Sequence, residues 1–359
     1  MQWFAYVMVP LLLSVILMPI VKRIAIYLKV YAQENERTIH KGKVARIGGI
    51  AVFVSFMVSM AICVDVFGNG IDSTVQSLLI SCCIIFIGGL IDDMVDLHPI
   101  AKFGFQIVAA VNLIWFGGVE LGVIHLPFGI IIDMGVVSFI VSLIWIIGIT
   151  NAVNLIDGLD GLAGGVSIII LFTIAAISFI DGRYLDIGML SLLLAGATLG
   201  LLIFNIHPAS IFMGDCGALF LGFFIASISL MGFKSSTFIT LGFPILLLAV
   251  PIIDTISAML RRILKGQSIA HADKNHLHHV LMARFGHRNT VFIIYAITIG
   301  FGVGAYLYII NKTIGLLIIV IMFIGMEIFI EKTHMISEKY HPILSFLGLI
   351  TGKRNKDAE

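Results

Sequence analysis

Ile47–Val64 reads IGGIAVFVSFMVSMAICV, 18 residues without a charge. At about 1.5 Å per residue such a run spans a bilayer core of roughly 30 Å. Similar runs fall at 3–21, 47–64, 75–91, 103–119, 134–150, 162–180, 187–204, 217–233, 238–260, 291–310 and 313–330. Helix is the form to expect for them, because a helix satisfies its own backbone hydrogen bonds where water is absent. Composition agrees: 59% of residues are hydrophobic, 12% are charged, and the mean hydropathy is +1.09. Soluble domains carry roughly a quarter charged residues. The expectation is an all-α multi-pass membrane protein with about eleven transmembrane helices. It forms a single integral membrane domain over 1–359, with 331–359 as a tail.

Charge placement orients the chain. With the amino terminus outside, nineteen of the 22 Lys and Arg residues fall in segments on one side, leaving Arg183, Lys234 and Lys312 on the other. That bias marks the cytoplasmic side and puts the carboxyl-terminal tail there. No basic residue precedes the first apolar run, and Lys22-Arg23 follow it, which fits a retained helix and not a cleaved signal peptide. Cys63, Cys82, Cys83 and Cys216 show no CxxC spacing and read as small hydrophobes. Gly117–Asp133 is turn-rich and short, so a small hairpin or re-entrant piece is expected there.

Four polar stretches interrupt the hydrocarbon, and the charge count puts all of them on the cytoplasmic face: IDDMVD (91–96), NAVNLIDGLDG (151–161), FMGD (212–215) and HADKNHLHH (271–279). Asp92 and Asp93 repel each other unless they share a cation or proton. A solvated interfacial loop is the plain alternative; a general base and oxygen ligands for Mg²⁺ are the chemical one. Asn151, Asn154, Asp157 and Asp160 recur every three residues, which on a helix makes a stripe along one side. A helix cap would use the same residue types, although four such groups exceed its needs. Asp215 lies among glycines at the start of a span, open to a metal. Phe212 is either an interfacial aromatic or a platform for a nucleobase.

His271, His276, His278 and His279 stand near Arg261, Arg262, Lys265 and Lys274. A zinc site would lack cysteines and a common spacing, whereas imidazoles with flanking cations suit phosphate oxygens. Asp254, seven residues before Arg261, is an acid within a span, where a charge costs about 2.5–3.5 kcal/mol on insertion scales. It is a functional group or the partner of a basic neighbour. Arg46 precedes Gly48-Gly49 at a helix start, which suits membrane-surface charge or an anionic ligand. An ion-coupled transporter would spread charges through mid-membrane in several spans, and a scaffold has no need of so many inward-pointing acids.

The segments IDDMVDL (91–97), NAVNLIDGLDGLAGG (151–165), NIHPASIFMGDCGALFLG (205–222) and ADKNHLHHVL (272–281) resemble, in kind and order, the polyprenyl-phosphate N-acetylhexosamine-1-phosphate transferases. The resemblance runs from about His40 to Leu281 and is strongest to the WecA/TagO branch. It implies transfer of GlcNAc-1-phosphate from UDP-GlcNAc to undecaprenyl phosphate at the bacterial cytoplasmic (inner) membrane, with Mg²⁺ (Mn²⁺ as a substitute). The lipid product would begin a cell-envelope glycopolymer such as O antigen or teichoic acid. By the same resemblance Asp92 and Asp93 are the catalytic acids, and Asp215 with Asp93 binds metal. Asn154, Asp157, Asp160, Asn205 and Phe212 line the uridine and sugar pocket, with Phe212 under the uracil. His276, His278 and His279 approach the diphosphate, and Lys41 is a basic contact from the first cytoplasmic loop. Membrane enzymes of this size are often homodimers, and no nucleic-acid partner is implied.

The pentapeptide-transferring branch carries a KxGTPTMGG-like stretch before the second helix and consecutive histidines late in the chain. Here residues 41–49 read KGKVARIGG and the late motif is HLHH. Both favour a GlcNAc-type donor over UDP-MurNAc-pentapeptide, with other UDP-N-acetylhexosamines still open.

Overall fold

The computed structural model describes residues 2–31, 44–67, 71–125, 131–182, 184–232, 248–264 and 276–333, together with 342, 343 and 345. Lys41, His271 and Lys274 lie outside the described residues. The first eight helices are α1 (Gln2–Leu28), α2 (Gly49–Phe67), α3 (Ser73–Val95), α4 (Pro99–Gly117), α5 (Val137–Leu155), α6 (Leu162–Asp181), α7 (Leu185–Asn205) and α8 (Gly214–Gly232). Three more follow: α9 (Ala249–Leu264), α10 (Leu277–Ile310) and α11 (Lys312–Lys332). Nine of the described helices are long and apolar enough to cross a membrane, and α2 adds the shorter apolar stretch Gly49–Cys63. The chain is a multi-pass membrane protein. The turn-rich segment after α4 contains the expected hairpin, with β1 (Val123–His125) antiparallel to β2 (Ile131–Asp133).

Two compact units divide at Leu248–Ala249. In the first, α8 is the axis: α3 and α5 pack against it, α2 and α6 also touch it, and α1 and α6 pack on α7. An apolar helix can face lipid or protein, so its neighbours and not its hydropathy decide how much of it is buried. Accordingly 89% of the best membrane window of α8 is buried, against 28% for α1, which turns Phe4, Leu12 and Ile16 outward. Phe220, Phe223 and Phe224 of α8 are wholly buried, and Phe220 and Phe224 pack with Phe53 and Phe56 of α2. Polar side chains join helices where hydrocarbon alone does not choose a register. Asn112 donates to Ser81 Oγ (2.9 Å) between α4 and α3, and Trp145 donates to Ser229 Oγ (3.1 Å) between α5 and α8. Gly89 lets α3 approach the backbone of Cys216 on α8; a Cβ there would come within 2.7 Å of Cys216 Cα.

In the second unit α10 packs against α9 and α11. The tenth span, expected at 291–310, lies in a helix longer than its apolar run, because α10 begins at Leu277 and is interrupted at Gly286, whose φ of 74° and ψ of 171° allow the bend. The segment 151–161 also departs from expectation. Rather than one helical stripe, α5 stops at Leu155 and residues 156–161 form turns ending at Gly161 with φ 77°. Asn151 and Asn154 therefore lie on a helix, and Asp157 and Asp160 in the turn that follows.

Candidate active site

Helices α3, α5 and α7 end where α2, α4, α6 and α8 begin, and polar contacts join these ends. Residues 45–49 lie along 211–213: Phe212 N donates to Ala45 O (2.8 Å), Gly48 N to Phe212 O (2.9 Å) and Gly49 N to Met213 O (2.8 Å). This lacing sets Arg46 over the start of α8. Gly214 turns there with φ 75°, and a Cβ would strike Arg46 O and stand 2.6 Å from Asp93 Oδ2. Only glycine fits.

Three carboxylates meet at this end. Asp93 from α3 has a side chain with no exposed surface. Its Oδ1 accepts from Asp215 N (2.8 Å) and its Oδ2 from Cys216 N (2.9 Å). A carboxylate at the first amides of a helix satisfies donors that have no intrahelical partner and meets the positive end of the helix dipole. Asp92 accepts from Leu97 N at Oδ1 (3.0 Å) and pairs with Lys102 Nζ at Oδ2 (2.7 Å). Among the described residues the Asp215 carboxylate meets side chains only: Oδ1 receives Arg46 Nη2 (3.2 Å) and Asn154 Nδ2 (3.4 Å), and Oδ2 meets Lys102 Nζ (2.5 Å). Arg46 Nε also reaches Asp93 Oδ1 at 3.3 Å. Two cations thus bridge three acids.

Asp157 adds a fourth acid. Burial, then the charges of Asp215 and Asp93, push its pKa up to about 7, with Arg46 opposing. Arg46 itself loses solvation, but Asp215 and Asp93 outweigh that loss and hold its guanidinium above the usual value. Four carboxyl groups against two cations leave an excess of hard oxygen donors, the chemistry that suits a small divalent cation. Asp215 is the best placed to offer an oxygen, since its side chain keeps 16% of its surface exposed against 5% for Asp92.

Asn205, Asp160 and Phe212 come to the same end of the first unit, several of their polar atoms committed to the protein itself. Asn205 accepts from Gly161 N (2.9 Å) and donates to Ile211 O (2.9 Å). Asp160 Oδ2 pairs with His207 Nδ1 (2.8 Å) and accepts from Ala209 N (3.2 Å). These bonds tie the 157–161 turn to the 205–213 loop. Asn151 is matched with buried Gln106. Phe212, whose backbone makes two of the lacing bonds, is half-buried. Arg46 and Lys102, the counter-charges of the acids, were not among the expected site residues. The signal for Lys102 was there to read, since no other Lys or Arg occurs between Arg46 and Arg183.

His276, His278 and His279 belong to the second unit, at the start of α10. His276 and His278 are buried, and His279 is half-buried. Asp254 of α9 lies 3.2 Å from His276 Nδ1 through Oδ2.

Residues 75–233 match the glycosyl transferase family 4 model. The chain is 40% identical to a probable undecaprenyl-phosphate N-acetylglucosaminyl 1-phosphate transferase of Bacillus subtilis (strain 168), over 97% of this chain and 96% of that protein. It is 31% identical to the decaprenyl-phosphate N-acetylglucosaminephosphotransferase of Mycobacterium tuberculosis (strain ATCC 25618 / H37Rv), covering 77% and 74%. A phospho-N-acetylmuramoyl-pentapeptide-transferase of Staphylococcus carnosus (strain TM300) is 29% identical over 66% of this chain and 77% of its own. Motifs, site and relatives agree: the chain is a phosphotransferase that belongs to glycosyl transferase family 4, among the polyprenyl-phosphate N-acetylhexosamine-1-phosphate transferases.

Proposed function

We propose that the protein transfers GlcNAc-1-phosphate from UDP-GlcNAc to undecaprenyl phosphate on the cytoplasmic side of a bacterial inner membrane. The observation that carries this reading is the acid cluster bridged by Arg46 and Lys102 at one end of the first unit. An oxygen of the lipid phosphate attacks the β-phosphorus of the donor. The bond from that phosphorus to the bridging oxygen breaks, and UMP leaves with the electron pair. Such transfer depends on positioning and charge neutralisation more than on covalent help.

Asp215, with Asp92 and Asp157 beside it, would hold Mg²⁺, which when bound neutralises phosphate charge. Asp93 keeps Asp215 in place through the first amides of α8. Lys102 and Arg46 offer cationic donors to phosphate oxygens, the guanidinium in a planar fork. With a second phosphate pKa near 6, the lipid phosphate needs little help to ionise at neutral pH, so Asp92 serves chiefly to set Lys102. Phe212 stacks the uracil, and Asn205 and Asp160 shape the loop that carries it.

The stretch KGKVARIGG at 41–49 and the motif HLHH support a GlcNAc-type donor over a pentapeptide-bearing one. The test is incubation of purified protein with polyprenyl phosphate, Mg²⁺ and a panel of UDP-N-acetylhexosamines, with UMP and lipid product identified by mass. UMP release with UDP-GlcNAc but not UDP-MurNAc-pentapeptide is expected; the reverse preference would overturn the donor assignment.

A further inference from the structure

Asp254 has no part in the reaction above, yet it is a carboxyl 1% exposed on α9. Both its oxygens are used. Oδ1 accepts from Leu277 N (2.7 Å), at the start of α10, and Oδ2 lies 3.2 Å from His276 Nδ1 and 4.0 Å from His278 Nδ1. The imidazoles follow one another from there. His276 and His278 are parallel within 10° at a ring separation of 5.8 Å, and His278 and His279 stand 4.3 Å apart. The carboxylate therefore anchors the buried end of a run of three rings whose last member, His279, is the least buried of the three.

A buried acid is costly unless hydrogen bonds receive it, and here one backbone amide and one imidazole do. An ionised carboxylate can only accept, so its imidazole partner must carry the proton on Nδ1, which leaves Nε2 as the opposite, acceptor atom of the ring. We propose that Asp254 is a positioning residue that fixes the start of α10 at Leu277 and holds His276 as the Nδ1–H tautomer, thereby orienting the imidazole run that ends at His279. The inference deepens the transferase reading and rests on it for one of its two readouts.

Two substitutions separate the parts. Asp254→Asn keeps a carbonyl oxygen for the Leu277 amide but turns the atom facing His276 into a donor; Asp254→Ala removes both contacts. The full-length protein in detergent, ¹⁵N-labelled at histidine, is compared as wild type and Asp254→Asn, with His276→Gln used to assign the signal. The wild-type His276 is expected as the Nδ1–H form and the Asp254→Asn ring as the Nε2–H form. The Asn variant should melt near wild type and lose about tenfold or more in kcat for UMP release, the order of the loss when the hydrogen-bond partner of a metal-bound histidine is removed. Asp254→Ala should also melt several degrees lower. A wild-type ring protonated at Nε2, a tautomer indifferent to Asp254→Asn, or a switched tautomer with wild-type turnover would each overturn the proposal. If wild-type protein released no UMP from any UDP-hexosamine, the transferase reading would fail, and the tautomer comparison would still decide the role of Asp254.

Discussion

Asp93→Ala distinguishes an acid that builds the site from acids that work in it. The substitution removes the acceptor for Asp215 N and Cys216 N, now 2.8 and 2.9 Å from its oxygens, at a position with no exposed side-chain surface. A buried amide left without an acceptor costs roughly 1–3 kcal/mol, so two cost about 2–6 kcal/mol. Relief of repulsion between Asp93 and Asp215 opposes this. That relief is the smaller effect, because Arg46 already lies 3.3 Å from one carboxylate and 3.2 Å from the other. The apparent melting temperature in detergent, followed by loss of the monodisperse peak on size exclusion, should therefore fall by several degrees. Asp93→Asn should fall about half as far, since its carbonyl oxygen can still accept one amide. Asp215→Ala should lower it less, because Asp215 receives no backbone donor among the described residues and Lys102 and Arg46 keep Asp92 and Asp93 as partners. Equal melting of Asp93→Ala and wild type would refute the capping role, as would an Asp215→Ala variant that melts as low as Asp93→Ala.

Asp215→Ala should abolish Mg²⁺-dependent UMP release while the protein stays folded; near-wild-type turnover would remove Asp215 from the metal. Lys102→Met leaves Asp92 and Asp215 without their shared cation and should lower kcat by about 10²-fold or more, the usual effect of losing one preorganised charge-stabilising donor, as read from UMP release at saturating substrates. Asp157, with its pKa raised to about 7, binds its proton more tightly folded than unfolded. Its contribution to stability is therefore complete below about pH 4, the ordinary carboxylate range, and is lost as pH rises toward 7. Melting in chelator should fall across that window, and Asp157→Asn should flatten the fall.

Much of the site was legible because its chemistry needs residue types that hydrocarbon spans exclude. Asp92, Asp93 and Asp215 stood out against apolar runs, and the odd-and-even order of spans put them at one end, where the ends of α3, α5 and α7 now meet the starts of α2, α4, α6 and α8. What could not be read was how each polar atom is spent. Asp93 and Asp215 look alike in sequence, yet among the described residues one binds backbone amides and the other only side chains, a difference made by the turn at Gly214. Asn205 and Asp160 looked like ligand contacts and join two loops of the protein. The period of three in 151–161 pointed to a helix face, but α5 ends at Leu155 and the chain turns through 156–161 before the next helix starts after Gly161. Arg46 read as membrane-surface charge or an anion contact, and Lys102 had no role assigned, because a cation's partner, 113 residues away for Lys102 and Asp215, leaves no mark in local spacing.

Asp215 rides on α8, the helix with the most interior surroundings, while α1 of the same unit turns much of its surface outward. The acid's setting is thereby insulated from the solvent of the bilayer. Lipids with longer or shorter acyl chains press first on the peripheral helices, and the close glycine contacts of α8 with α2 and α3 resist transmission inward. A change of host membrane should thus alter how readily the polyprenyl acceptor arrives, and leave the spacing of the clustered acids unchanged.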